Sequence, residues 1–199
     1  MPIFRGTNNI SKIFRGNTEI VKAFRGVDLI FTSDVTAEYE LIADINVATN
    51  TTQIDFDNLN ITKDDELRLV YTLVGDVTTT TAFYSLIAND ITSNYHFQRL
   101  NSSVTSINAA RQNNSFFSVA RSNRKTSGFA DVKVSNNDRF VVQSQFVHQI
   151  GGEASIIQNA NYNVVNTSTV TSITKLSIVS DRTNGIAVGS RLQLYKVVK

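Results

Sequence analysis

The chain is 199 residues long, enough for one well-packed core with a small appendage, and hydrophobic residues make up 41% of it, so wholesale disorder is excluded. Its net charge of +2 is too small to imply a nucleic-acid or membrane partner, and with no cysteine it can have neither disulfides nor a thiolate metal site. Asn, Thr and Ser fill 61 of the 199 positions. These short amide and hydroxyl side chains favour turns and the solvent faces of strands over helix interiors, which tilts the reading toward an all-β protein.

Residues 1–31 repeat a ten-residue unit three times. Phe-Arg-Gly recurs at 4–6, 14–16 and 24–26, Ile10, Ile20 and Ile30 keep phase, and so do Ile3, Ile13 and Ala23. A period of ten matches neither a heptad nor an eleven-residue helical repeat, and a Gly in each unit would weaken a helix by about 1 kcal/mol. Short strands joined by tight turns at residues 6–9, 16–18 and 26–28 fit instead. A ribbon with so few apolar residues per unit has too little interior to stand alone. The expected anchor or oligomer interface is therefore Ile3, Phe4, Ile10, Ile13, Phe14, Ile20, Phe24 and Ile30. The competing expectation is a meander folded back on its own domain.

From residue 32 to residue 199 the repeat gives way to short strand signals. Expected strands are Glu38–Ile42, Thr52–Phe56, Leu67–Leu73, Ala82–Leu86, His96–Leu100, Phe116–Ala120, Phe129–Val134 and Phe140–His148. Three more follow at Ala154–Ile157, Val170–Ile178 and Leu192–Val197. Leu67, Leu69 and Tyr71 share one face, as do Leu192 and Leu194. Breakers separate the runs at Asn113-Asn114, Asn136-Asn137, Gly151-Gly152 and Asn184-Gly185. Some ten strands with a single Pro read as a β-sandwich of jelly-roll type, with a helical turn expected within Asn101–Asn114.

Catalytic signals are missing. His96 and His148 lie far apart, each in an apolar-aromatic strand context where a packed or surface histidine is the commoner reading. No His-rich metal motif, nucleophile elbow or phosphate loop occurs, and no cofactor or metal is expected. Asp64-Asp65-Glu66 reads as a solvated turn. Asp55 and Asp57 share a strand face and would suit calcium, but the surrounding loop lacks the Gly and terminal Glu of an EF-hand. Sequons at Asn50, Asn60, Asn101, Asn113 and Asn166 are what so Asn-, Ser- and Thr-rich a chain gives by chance. Arg121, Arg124 and Lys125 form the most charged loop, suited to phosphate or sulfate groups, although a solvated hairpin loop is the commoner reading. Tyr84, Tyr95, Phe97, Phe129 and Tyr162 offer faces for sugar stacking, or simply a core. The expected ligand-binding set is Arg121, Arg124, Lys125 and Tyr95.

The unit Phe14-Arg-Gly-Asn-Thr-Glu-Ile-Val-Lys22 resembles the decapeptide units at the N-termini of many tailed-bacteriophage virion proteins. Ile54-Asp-Phe56, Leu67-Arg-Leu69, Asn94-Tyr-His-Phe97 and the stretch Val170–Ile178 before Ile186–Tyr195 are similar to a β-sandwich domain of phage fibres, appendages and capsid decorations. The ending Gly189-Ser190-x-x-x-Leu194-Tyr195 is the most specific part. The Trp or extra Gly usual near these motifs is absent. The resemblance implies a non-enzymatic protein of the virion surface, made in the bacterial cytoplasm without a signal peptide. It implies a homo-oligomer, with a trimer favoured over a dimer, in contact with other virion proteins. Two roles follow: a capsid-attached head fibre or decoration protein, or a tail-fibre module recognising host surface glycan. No nucleic-acid partner and no membrane insertion are expected.

Overall fold

The computed structural model describes residues 13–15, 18–20, 22–25, 28–32, 38–75, 82–103, 106–113, 116–120, 125–150 and 156–198, and among them every regular element is a strand. The chain divides into two compact units, Met1–Glu38 with Val198–Lys199, and Tyr39–Val197. In the first, β1 (Ile13–Arg15) pairs antiparallel with β2 (Thr18–Ile20), and β3 (Lys22–Arg25) with β4 (Asp28–Thr32). Each pair is a separate two-stranded sheet, so the described part of the decapeptide repeat consists of short hairpins.

The second unit holds β5 (Glu38–Asn46), β6 (Gln53–Phe56), β7 (Glu66–Val74), β8 (Ala82–Ala88), β9 (Tyr95–Ser103) and β10 (Ser106–Gln112). It continues with β11 (Phe116–Ala120), β12 (Lys125–Val134), β13 (Phe140–Ile150), β14 (Ile156–Asn166), β15 (Leu176–Ser180) and β16 (Arg191–Val198). The larger sheet runs β10-β9-β14-β13-β12-β7-β16-β5 and the smaller β11-β8-β15-β6. Pairs nest in chain order: β9 with β10, β8 with β11, β7 with β12, β6 with β15, and β5 with β16. Successive pairs alternate between the two sheets, and the β13–β14 hairpin is inserted between β12 and β9.

Period-two patterning drives this arrangement. Leu67, Leu69, Tyr71 and Leu73 turn inward from β7, while Arg68, Val70 and Thr72 turn outward. Ile54 and Phe56 of β6, Tyr84 and Leu86 of β8, and Leu176 and Ile178 of β15 join the same hydrophobic cluster from the smaller sheet. One core fed by two antiparallel sheets is consistent with a β-sandwich. Each large side chain buried there contributes about 1.5–3 kcal/mol by removal from water. Tyr162 is central, with the rings of Phe97 and Phe146 each 5.4 Å away.

The Gly189-Ser190 motif has a structural use. Gly189 sits at φ +87, a backbone region that other residues rarely enter. The turn brings the buried Ser190 hydroxyl to accept the Val74 N–H at 2.9 Å, closing the end of β7. Val47 N–H in turn donates to Ser190 C=O at 2.9 Å.

Three expectations need correction. The stretch Asn101–Asn114 holds no helical turn among its described residues; it contains the end of β9 and all of β10, paired in register from Ser106↔Ser103 to Gln112↔Phe97. Of the described residues there, only Asn113 lies outside the ladder. Of the expected strand Ala154–Ile157, residues 156 and 157 open β14, which runs on to Asn166, while residues 154 and 155 lie outside the described residues. Val170–Ile178 is strand only from Leu176. Before it, Val170 N–H bonds to Asp138 C=O and Ile173 bridges to Ile61, so the apolar residues there pack a loop onto the core.

Candidate functional site

The alternation that fills the core leaves the opposite face of the larger sheet to solvent. Register places Tyr195, Arg68, Asp131, Gln143, Asn163, Gln98 and Arg111 in one row across β16, β7, β12, β13, β14, β9 and β10. One step along, Glu66, Lys133, Val141, Val165 and His96 form a second row. On the other side, Val70, Phe129, Gln145, Asn161, Leu100 and Ala109 form a third. With strands about 4.8 Å apart, the span from β7 to β10 is about 24 Å.

Two depressions lie on this face. One of about 140 Å³ is lined by Glu66, Asp131, Lys133, Val141, Gln143 and Asn163. The other, of about 300 Å³, is lined by His96, Gln98, Arg111, Val141, Asn163 and Val165 together with the buried Phe97 and Val164. They share Val141 and Asn163 and so adjoin, a two-part groove running across the strands.

One end of the groove is electrostatically closed. The Arg68 guanidinium donates from Nε and Nη2 to Asp131 at 2.6 and 2.8 Å, a bidentate pair. The same guanidinium lies 4.9 Å from the Phe129 ring centre and 5.2 Å from that of Tyr39, which meets Tyr195 edge to face. The hydrogen bonds to Asp131 raise the Arg68 pKa despite its partial burial. Lys133 stands directly across from Glu66. At the other end His96 Nδ1 lies 2.8 Å from Asn113 Oδ1, and Arg111 has no ion-pair partner among the described residues. Between the two ends the side chains of Gln98, Gln143 and Asn163, and beside them those of Gln145 and Asn161, make no hydrogen bond among the described residues.

The carboxylates singled out in the sequence are otherwise engaged. Burial pushes the Asp55 carboxyl up, but hydrogen bonds from Ser177 at 2.6 Å and Gln53 at 2.7 Å, with the Lys175 charge, leave it lowered. Lys175 binds Asp90 at 2.9 Å as well. The Asp64–Glu66 turn is more than solvated. Lys196 holds Asp65 at 2.7 Å and Thr62 donates to it from N–H and hydroxyl, so the carboxyl lies below its usual range. Among the described residues no three His, Asp or Glu side chains come together as a metal site. No helix there is long and apolar enough to cross a membrane.

Of the expected anchor residues, Ile13 and Phe14 lie on β1, Ile20 on β2, Phe24 on β3 and Ile30 on β4, with Ile13 opposite Ile20. Ile3, Phe4 and Ile10 lie outside the described residues, as do Arg121 and Arg124. Lys125 is exposed at the start of β12 and faces Val74 in register. Tyr95 is a core residue, 3% exposed, packed edge to face on Phe140, with its hydroxyl accepting the Ala88 N–H. Burial raises its pKa. Its ring is therefore not a sugar-stacking surface. Tyr84, Phe97 and Tyr162 are likewise buried, and of the five aromatics considered for stacking only Phe129 reaches the outer face, under Arg68.

The amide block was not singled out in the sequence. The signal was present as Gln143 and Gln145 alternating with Val142, Ser144 and Phe146, and as Asn161 and Asn163 flanking Tyr162. Bringing these together with Gln98 required the pairing of β14 with both β13 and β9. No family model, curated protein or solved structure matches the chain.

Proposed function

We propose that this chain is a non-enzymatic structural protein of a bacteriophage virion surface, a capsid-attached head fibre or decoration protein. In this reading the repeat unit docks on the particle and joins sister chains, three by preference, while the two-sheet body projects outward. That body is read as a jelly roll, because its nested strand pairs alternate between sheets as a long hairpin rolled around a core would.

The observation that carries the reading is the construction of the N-terminal unit. Its described strands are three to five residues long and pair only two at a time. Isolated two-stranded hairpins are marginal in water, and a partner surface is the ordinary remedy. The decapeptide motif supplies the virion assignment by resemblance. Symmetric association also suits a unit in which the same isoleucine recurs every ten residues.

The test is deletion of residues 1–31 followed by an assembly assay in the host that makes the particle. The truncated protein is expected to fold and stay soluble yet to be missing from purified particles. Normal incorporation of the truncated chain would overturn the anchor assignment, and labelling of the full chain on the tail rather than the head would overturn the head-fibre assignment.

A further inference from the structure

We propose that the groove across the outer face of the larger sheet is a binding site for a linear, uncharged oligosaccharide. The inference is independent of any role in a particle, because it rests on the sheet face alone.

Three amides line the groove and two more flank it, and these define the chemistry. Gln98, Asn163 and Gln143 stand side by side on β9, β14 and β13, and Asn161 and Gln145 stand beside the last two in the neighbouring row. Each carries two N–H donors and a carbonyl acceptor, and none spends them on a protein partner among the described residues. A surface that offers donors and acceptors in equal measure at strand spacing matches a ligand whose hydroxyls do both. Sugars have that property at every ring. A peptide strand would need free backbone groups, which lie at the sheet edges and not on its face.

Charge narrows the class. Asp131 is satisfied by Arg68, and Glu66 has Lys133 as its cross-strand neighbour, so each carboxylate has a cation on the adjacent strand. Lys133, which faces Glu66 in register without an ion pair, and Arg111 at the far end are the groove's two unpaired cations among the described residues. An array of phosphates would need several more. Val141 and Val165, both half-buried, give the groove a floor for the C–H faces of sugar rings.

Shape sets the length. A groove about 24 Å long takes several consecutive sugars of a chain rather than a single ring. The amides sit on paired interior strands of an eight-stranded sheet, so their backbones are already fixed and little ordering is lost on binding. No aromatic ring lies in the amide stretch, so affinity should depend on the hydrogen bonds more than on stacking.

The test uses the full-length protein, labelled with nitrogen-15, titrated with neutral hexasaccharides of glucose, mannose, galactose, rhamnose and N-acetylglucosamine, and with hexagalacturonate as the acidic arm. At least one neutral hexasaccharide is expected to move the side-chain NH₂ signals of Gln98, Gln143 and Asn163. Its affinity should be the same at low and high salt. Asn163→Ala and Gln143→Ala should each weaken it by about three- to tenfold, the loss of one hydrogen-bonding side chain, with unchanged thermal unfolding. Arg182→Ala, on the exposed turn after β15 of the smaller sheet, should leave binding intact. The proposal is overturned if no neutral hexasaccharide binds, if the shifts map elsewhere, if only hexagalacturonate binds in a salt-sensitive way, or if both amide variants bind as the parent does.

Discussion

Gly128 offers the sharpest test of the register on which the groove depends. It lies in β12 between Tyr71 of β7 and Phe146 of β13. A Cβ placed there would stand 2.3 Å from the Gln145 carbonyl oxygen, 2.6 Å from Phe146 Cβ and 2.8 Å from Phe146 Cα. None of these atoms is the free end of a flexible side chain, so the strands themselves must part. Forced overpacking of this kind costs about 3 kcal/mol, which for a body of this size lowers Tm by about 6–12 °C. Gly189→Ala separates this from a general intolerance of glycine replacement. No atom lies within 4 Å of its added Cβ, so its cost is the left-handed backbone alone, about 1 kcal/mol. Urea unfolding of both variants against the parent reads the difference, with constant m-values as the check that the denatured states are comparable. If Gly128→Ala unfolds within about 0.5 kcal/mol of the parent, well inside the range of a neutral surface change, the close approach of β12 and β13 is wrong. The row of amides would then be wrong with it.

Two further outcomes bear on the loops that close the body. Asn89, at φ 51, accepts from Thr174 N–H and hydroxyl and from Lys175 N–H, and donates to Ser172 C=O at 2.7 Å, so Asn89→Ala should cost about 2–3 kcal/mol in urea unfolding. A loss below about 0.5 kcal/mol would show that water replaces those bonds freely. Asp65, held low chiefly by its hydrogen bond from Lys196, binds fewer protons folded than unfolded, so its contribution is present above the unfolded value near pH 4 and fades as pH falls through the lower folded value. Asp65→Asn should therefore be less stable than the parent at neutral pH and lose less on acidification below about pH 4; parallel curves would contradict this.

Much of the fold was legible because it follows from alternation. Leu67, Leu69 and Tyr71 announce the inward face of β7, and the Asn and Gly breakers fall where strands end, as at Asn136-Asn137 and Asn184-Gly185. What was not legible depended on pairing. Ser106–Gln112 has too few apolar residues to read as a strand, and becomes one because β9 provides a ladder for it. Tyr95 looked available for a ligand because aromatic residues serve cores and surfaces alike; only its place opposite Phe140 decides for the core. The amides of β13, β14 and β9 are far apart in sequence, and their side-by-side placement is a property of the sheet order.

In the proposed function the repeat unit needs neighbouring molecules. Sedimentation velocity of the purified full-length chain beside a chain lacking residues 1–31 tests it most directly. The full chain is expected to sediment as an oligomer, a trimer by preference, and the truncated chain as a monomer. A compact full-length monomer in which the repeat isoleucines are protected from solvent would contradict it.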